Sequence, residues 1–98
     1  MRINNRLIVI GSKQQVQSFT SSKWEGRLSA RDAETMQSSP GRFVVDFKTT
    51  VVPLEPLRGL SWRWPKLAFL LVHENEQIRS KGLAKVKAGQ LAHCEIEY

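Results

Sequence analysis

The stretch Leu67-Ala68-Phe69-Leu70-Leu71-Val72-His73 decides the fold class of this chain of 98 residues. Its first six residues are the longest unbroken apolar run of the sequence, and a short continuous apolar run is typical of a well-buried strand. A membrane-spanning helix needs about 20 apolar residues, so the run predicts no membrane span. We therefore expect the chain to be built around a sheet, with residues 67–73 as its best-buried strand.

The segments on either side of this strand carry helix and strand signals in a definite order. Strands are predicted where residues alternate between apolar and polar or are rich in Leu, Ile and Val, at 5–10, 24–31, 42–50, 82–88 and 91–98. Helices are predicted at 13–20, behind a capping box of Ser12 and Gln15, and from Pro56 to the residue before Pro65. The order is strand, helix, strand, strand, helix, strand, and then a C-terminal hairpin.

This order of elements predicts the fold class. The first six elements have the split βαβ arrangement, which folds as an antiparallel sheet with both helices on one face. We therefore expect an α+β fold, a two-layer ferredoxin-like sandwich (βαββαβ) with an extra C-terminal β-hairpin strand. The sequence has no linker, repeat or low-complexity segment, so residues 1–98 are expected to form a single ferredoxin-like domain.

The charge balance is the first indication of function. Fifteen Lys and Arg residues against nine Asp and Glu residues give a formal net charge of +6. This excess predicts an acidic partner, either nucleic acid, an acidic protein surface or a nucleoprotein, and the alternative is charge that only keeps the protein soluble. A single cysteine, Cys94, excludes an internal disulfide. It indicates a reducing, cytoplasmic location, and the shortness of the apolar runs predicts no membrane contact.

Metal ligands and catalytic groups are sparse. The residue types that ligate metals cluster only near the C-terminus, without the spacing of a zinc site, at His73, Glu74, Glu76, His93 and Cys94. Adjacent strand residues point to opposite faces, so His93 and Cys94 are not expected to act as a catalytic pair. We expect Cys94 to be a small core residue in phase with Ile96 and Tyr98. The sequence therefore predicts no enzyme, no cofactor, and no catalytic, cofactor-binding or metal-binding residue.

Several motifs of the chain occupy core and turn positions. They are N-R-L-I-V-I-G at 5–11 followed by Val16 and Phe19, Lys23-Trp24, Phe47-Lys48-Thr49, L-S-W-R-W-P at 60–65, and Leu67-x-Phe69 ahead of Glu74 or Glu76. Together they resemble the YubB-like ferredoxin-fold family, small proteins of plasmids, phages and integrated mobile elements. The resemblance implies a ferredoxin-like fold, an origin in a mobile element and therefore the cytoplasm of a bacterial host. It implies no known chemistry.

Lysines of the C-terminal hairpin are the first candidate binding residues. Lys85 and Lys87 share one side of their predicted strand, because side chains alternate with a period of two, and Lys81 precedes them. These lysines could contact the phosphates of nucleic acid, or they could protect a sheet edge from aggregation. Base stacking on the sheet is not expected, because Phe43 and Phe47 are assigned to the core side of their strand.

The predicted second helix carries the other candidates. Helical periodicity places Trp64 on the core face and turns Trp62 away from it, with Arg58 and Arg63 beside the indole. An exposed Trp beside Arg is typical of a protein-binding hot spot. The alternative is that Trp62 packs on the C-terminal hairpin or covers Leu54.

The leading functional hypothesis is a small non-enzymatic binding module of a mobile genetic element. Its partner would be acidic, either nucleic acid or a host nucleoprotein, and interference with host defence in the manner of an anti-CRISPR protein is the role that the resemblance suggests. The alternative hypothesis is a homo-oligomeric structural or regulatory protein without nucleic-acid contact, for example a homodimer that pairs through an edge strand or through Trp62. Steep salt dependence of binding would favour the first hypothesis.

Overall fold

The computed structural model describes residues 2–98, which form one six-stranded antiparallel sheet and three short helices. The elements are β1 (Ile3–Ile10), α1 (Lys13–Thr20), α2 (Trp24–Leu28), β2 (Arg31–Ser39), β3 (Arg42–Thr49), α3 (Leu54–Arg63), β4 (Ala68–Asn75), β5 (Ser80–Lys87) and β6 (Gln90–Glu97). The strand order across the sheet is β2-β3-β1-β4-β5-β6, so β1 and β4 are central and β2 and β6 are the edges. Within residues 2–98, the helices are all too short or too polar to cross a membrane.

The core lies between one face of the sheet and the helices. Alternate residues of β1 and β4, such as Leu7 and Phe69, are fully buried on this face. The ring of Phe19 in α1 packs against Phe69 at a centroid distance of 5.4 Å and against Trp24 in α2 at 5.9 Å. We call this the helix face. The opposite side of the sheet, which carries residues such as Lys85, is not covered by a helix, and we call it the open face.

The predicted two-layer ferredoxin-like sandwich (βαββαβ) with an extra C-terminal hairpin strand is wrong. The described chain is 51% strand and only 24% helix, so the sheet dominates the fold and the short helices do not form a matching second layer. The predicted C-terminal hairpin forms β5 and β6. β5 pairs with β4 from Phe69 to Asn75, and β6 pairs with β5 along its whole length, so both continue the same sheet.

A second correction concerns the strand predicted at 24–31 and residues 32–41, for which no helix or strand was predicted. Residues 24–28 form α2, and the following segment forms edge strand β2. Trp24 and Leu28 are both buried, and a spacing of four residues fits one face of a helix as well as one side of a strand. β2 shows no apolar alternation because its side chains are exposed almost throughout. Its sequence therefore carried no strand signal.

Helix α3 agrees with its predicted phase. Leu57 and Leu60 are buried against the core, and Pro56 lies in the first turn, where a missing N–H removes no helical hydrogen bond. Trp64 caps the C-terminal end and packs edge-on against Phe19 at 5.7 Å. The same phase leaves Trp62 on the outside of the helix.

Candidate binding surface on the open face of the sheet

Strand β5 presents a row of lysines on the open face. Its residues alternate strictly between buried and exposed, so Lys81, Lys85 and Lys87 are exposed on one side, and we call these three the lysine row. Leu83 stands in the same row with 50% of its side chain exposed. Side chains two positions apart on one side of a strand are roughly 6.7 Å apart, so the row extends about 20 Å. The structure therefore brings together the three lysines that the sequence singled out.

The neighbours of the lysine row are mostly uncharged. On β4 and β6 they are Glu74 and Ile96 at Lys81, Val72 and Cys94 at Leu83, and Leu70 and Ala92 at Lys85. Glu74 is the acidic neighbour, and its carboxylate accepts a hydrogen bond from the Tyr98 hydroxyl. Within residues 2–98 the ion pairs are Arg6–Asp46 and Arg58–Glu55, so the lysines of the row are not held in salt bridges.

The position of β5 decides between the two interpretations of these lysines. Charged residues protect a sheet when they stand on an edge strand, where they discourage pairing with another chain. β5 lies between β4 and β6 and is not an edge, so Lys81, Lys85 and Lys87 do not serve that purpose. Edge protection is therefore excluded as the reason for the lysine row.

The other half of the open face carries charges of both signs. A groove of about 540 Å³ runs along the ends of β1 to β4, and its lining includes Arg6, Asp32, Glu34, Asp46 and Lys48. Arg6 and Asp46 form a two-point ion pair there, with N–O distances of 2.7 and 2.9 Å. The hydrogen bond to Asp46 and its charge raise the pKa of Arg6. The groove lining carries two positive side chains, Arg6 and Lys48, against four carboxylates, so its charge is net negative, whereas the lysine row is positive.

The predicted burial of Cys94 is wrong. Cys94 is exposed on the open face, opposite Leu83, and Ile96 beside it is 59% exposed. Cys94 was expected in the core because one side of the last strand was assumed to pack against it. β6 is an edge strand whose side chains are exposed in both phases, so its alternation carries no information about burial.

Helix α3 holds the turn between β5 and β6. The Arg58 Nε donates a hydrogen bond to the Gly89 carbonyl at 3.0 Å, and the Gly89 N–H donates to the buried Ser61 Oγ at 2.8 Å. The Trp62 indole lies against Gly89 so closely that a Cβ there would collide with the ring, although 61% of Trp62 remains exposed. Trp62 therefore packs on the C-terminal hairpin, as the alternative interpretation held, and its outer surface is still accessible.

The α3 candidates and the lysine row do not form one site. Arg58 is engaged with the turn, and Arg63 is exposed at the end of the helix. Helix α3 packs on the helix face, whereas Lys81, Lys85 and Lys87 point from the open face. Of the six candidate binding residues, the three lysines share the open face, and Arg58 and Trp62 meet instead at the Gly89 turn.

A histidine pair that the sequence did not predict lies on the helix face. His73 of β4 is only 2% exposed, and its ring passes over Gly82 of β5 to reach His93 of β6, with 2.8 Å between the two Nε2 atoms. Burial lowers the pKa of His73, His93 lowers it further, and Glu95 acts in the opposite direction. Residues 2–98 contain no group of three or more side chains placed to hold a metal ion. The two histidines lie on strands that are separated by β5. Their contact could therefore be predicted only from the pairing of β4, β5 and β6, which sequence periodicity does not give.

Comparison with known proteins adds no relative. No family model, curated protein or solved structure matches the chain. The resemblance to the YubB-like family therefore stays a prediction, and so does the mobile-element origin that it implies. The function has to be inferred from the surface of the molecule.

Proposed function

We propose that this protein is a non-enzymatic module that binds the phosphate backbone of nucleic acid through the lysine row. The observation that carries the proposal is the alignment of Lys81, Lys85 and Lys87 on an interior strand, without a salt bridge to any of residues 2–98. Cations aligned along a flat surface favour a linear polyanion over a compact acidic group. Phosphate contacts of this kind supply most of the affinity in sequence-independent binding.

The spacing and surroundings of the row indicate the mode of binding. A length of about 20 Å corresponds to roughly six nucleotide steps along one strand that keeps the rise of a double helix. Leu83 and the apolar side chains of β4 and β6 offer contact area between the cations. No aromatic side chain stands between the lysines, and Tyr98 at the Lys81 end is engaged with Glu74 and Arg79, so we expect little dependence on base sequence. The open sheet surface, rather than the groove at the other half of the face, is the site that we assign.

The experiment compares two triple variants that have the same net charge. One replaces Lys81, Lys85 and Lys87 by Gln, and the control replaces Lys13, Lys23 and Arg27, which are exposed on and beside α1 and α2, by Gln. Each variant lowers the formal net charge from +6 by three, to +3. Binding to a labelled single-stranded oligonucleotide is measured by fluorescence anisotropy at several salt concentrations.

The expected result is specific to the row. Loss of three phosphate contacts should lower the slope of log affinity against log salt by about 2, while the control variant keeps most of the slope of the original protein. Equal losses in both variants would mean that net charge alone attracts the polymer. An original protein that does not bind the oligonucleotide at all would overturn the proposal and favour an acidic protein as the partner.

A further inference from the structure

The two edges of the sheet differ in regularity. β2 departs from its register with β3 twice, between Arg31 and Glu34 and between Thr35 and Gln37, and Asp32 has a positive φ of 53°. Such irregularities interrupt the row of backbone groups and protect an edge from pairing. β6 pairs with β5 without a single register shift, so its outer edge is straight and regular. β6 is therefore the edge that can accept another strand.

The hairpin geometry fixes which groups of β6 point outward. Ala88 and Gly89 form a two-residue turn with positive φ angles of 48° and 78°, so Lys87 and Gln90 are a hydrogen-bonded pair. Hydrogen-bonded pairs then recur at every second residue, and the Tyr98 N–H does bond to the Arg79 carbonyl at 2.8 Å. The even-numbered residues of β6 thus bond to β5. The backbone N–H and C=O groups that point outward belong to the odd-numbered residues, Leu91, His93, Glu95 and Glu97.

We propose that β6 pairs with β6 of a second copy of this chain, antiparallel and around a two-fold axis at Cys94. Two antiparallel strands bond through the residues whose backbone groups point at the partner, so odd-numbered residues of β6 must stand opposite odd-numbered residues of the second copy. Under two-fold symmetry the axis then passes through a residue of the strand and not between two residues. An axis at Glu95 would place two identical carboxylates opposite each other. An axis at His93 would place two imidazoles opposite each other. An axis at Cys94 instead places His93 opposite Glu95 of the second copy twice, so that neither residue meets its own copy; within each chain these side chains hydrogen-bond to His73 and Ser80, and the backbone groups make the contact.

The same register matches the open face of the two copies. Ala92 stands opposite Ile96 of the second copy, so the pairing covers an isoleucine that is 59% exposed in the single chain. Cys94 stands opposite Cys94 in a non-hydrogen-bonded position, where Cα atoms of antiparallel strands are about 4.5 Å apart. That separation lies within the range that a disulfide can bridge. A disulfide between the two Cys94 residues would therefore show that the strands pair in this register.

The test uses cross-linking at low micromolar protein concentration. Diamide takes the two hydrogens of a pair of thiols and leaves an S–S bond, so the original protein should give a covalent dimer of twice 11.2 kDa. The control carries Cys94→Ser with Ser18→Cys, which moves the single thiol to an exposed site on α1 and measures random collision. Two further variants test the register, and both carry Cys94→Ser: one adds Ala92→Cys and the other adds Ile96→Cys. Because position 92 stands opposite position 96 of the second copy, the two variants should cross-link when they are mixed and much less when each is oxidised alone.

Sedimentation equilibrium without oxidant measures the assembly itself. A dimer, together with cross-linking through Cys94 well above the Ser18→Cys control, supports the proposal. A monomer at all concentrations overturns it. A dimer whose Cys94 cross-links no faster than the control places the interface elsewhere and also overturns it. Oligonucleotide binding is measured separately, so this proposal and the lysine-row proposal can fail independently.

Discussion

Replacement of Trp62 by Ala should destabilise the fold by about 1–2 kcal/mol and leave nucleic-acid binding unchanged. A fully buried large aromatic costs about 3–5 kcal/mol when it is truncated to Ala. Trp62 is 61% exposed, so only about two fifths of that effect is expected from its contact with Gly89. For a domain of this size, that loss lowers the melting temperature by roughly 6–12 °C. Binding should persist because α3 lies on the helix face, away from the lysine row.

A double-mutant cycle with Gly89→Ala isolates the contact. In the original background the added Cβ meets the indole and is also strained by the positive φ of 78°. In the Trp62→Ala background only the backbone strain remains, so the second substitution should cost measurably less, by at least about 0.5 kcal/mol. Urea unfolding of the four proteins gives this coupling energy. Additive effects, or a Trp62→Ala variant as stable as the original, would refute the packing interpretation and leave Trp62 as a free partner surface.

Three further substitutions test the helix face. Gly82→Ala should destabilise the fold by about 1–3 kcal/mol in urea unfolding, because the methyl group collides with the His73 ring, and an unchanged midpoint would contradict the ring placement. Ser61→Ala should cost about 1–2 kcal/mol in the same assay because the Gly89 N–H loses its acceptor, and a neutral effect would show that this bond is not formed. His73→Gln should flatten the pH dependence of the melting temperature. Because the pKa of His73 is lowered in the fold, the unfolded chain takes up a proton at a higher pH than the folded chain does. The original protein should therefore lose stability as the pH falls below 6.5. An equal loss of stability in the variant would contradict this interpretation.

The fold was predictable where burial acts on one side of an element. The continuous apolar run at 67–73 is β4, and the alternation at 42–50 is β3. Helix α1 begins where the capping residue Ser12 predicts, with its side chain accepting the N–H of Gln15 at 3.2 Å. The prediction failed at α2, where Trp24 and Leu28 satisfy both periods, and at β2, which has no buried side to reveal it. The fold class was wrong because the sheet takes in 51% of the described chain and the helices only 24%, and local periodicity does not show how many strands join one sheet.

The candidate site was predictable only in part, for a similar reason. The period of two placed Lys85 and Lys87 on one side of their strand, and the structure agrees. Whether that strand lies inside the sheet or at its edge depends on long-range pairing, which local periodicity does not contain. The partner of Trp62, the turn residue Gly89, is remote in sequence, so its contact could not be read from helical phase. Cys94 was misplaced because an edge strand can be exposed in both phases.

The irregular register of β2 has a consequence for how large an assembly this chain can build. The proposed pairing through β6 would use the regular edge of both copies and would leave a bulged β2 strand at each outer end of the joined sheet. Two identical surfaces that meet around a two-fold axis form a closed contact, so the joined sheet can grow only through a second contact at its β2 ends, which the bulges disfavour. Polymerisation should therefore stop at two chains, and concentrated protein should stay free of fibres for as long as the bulges of β2 are intact.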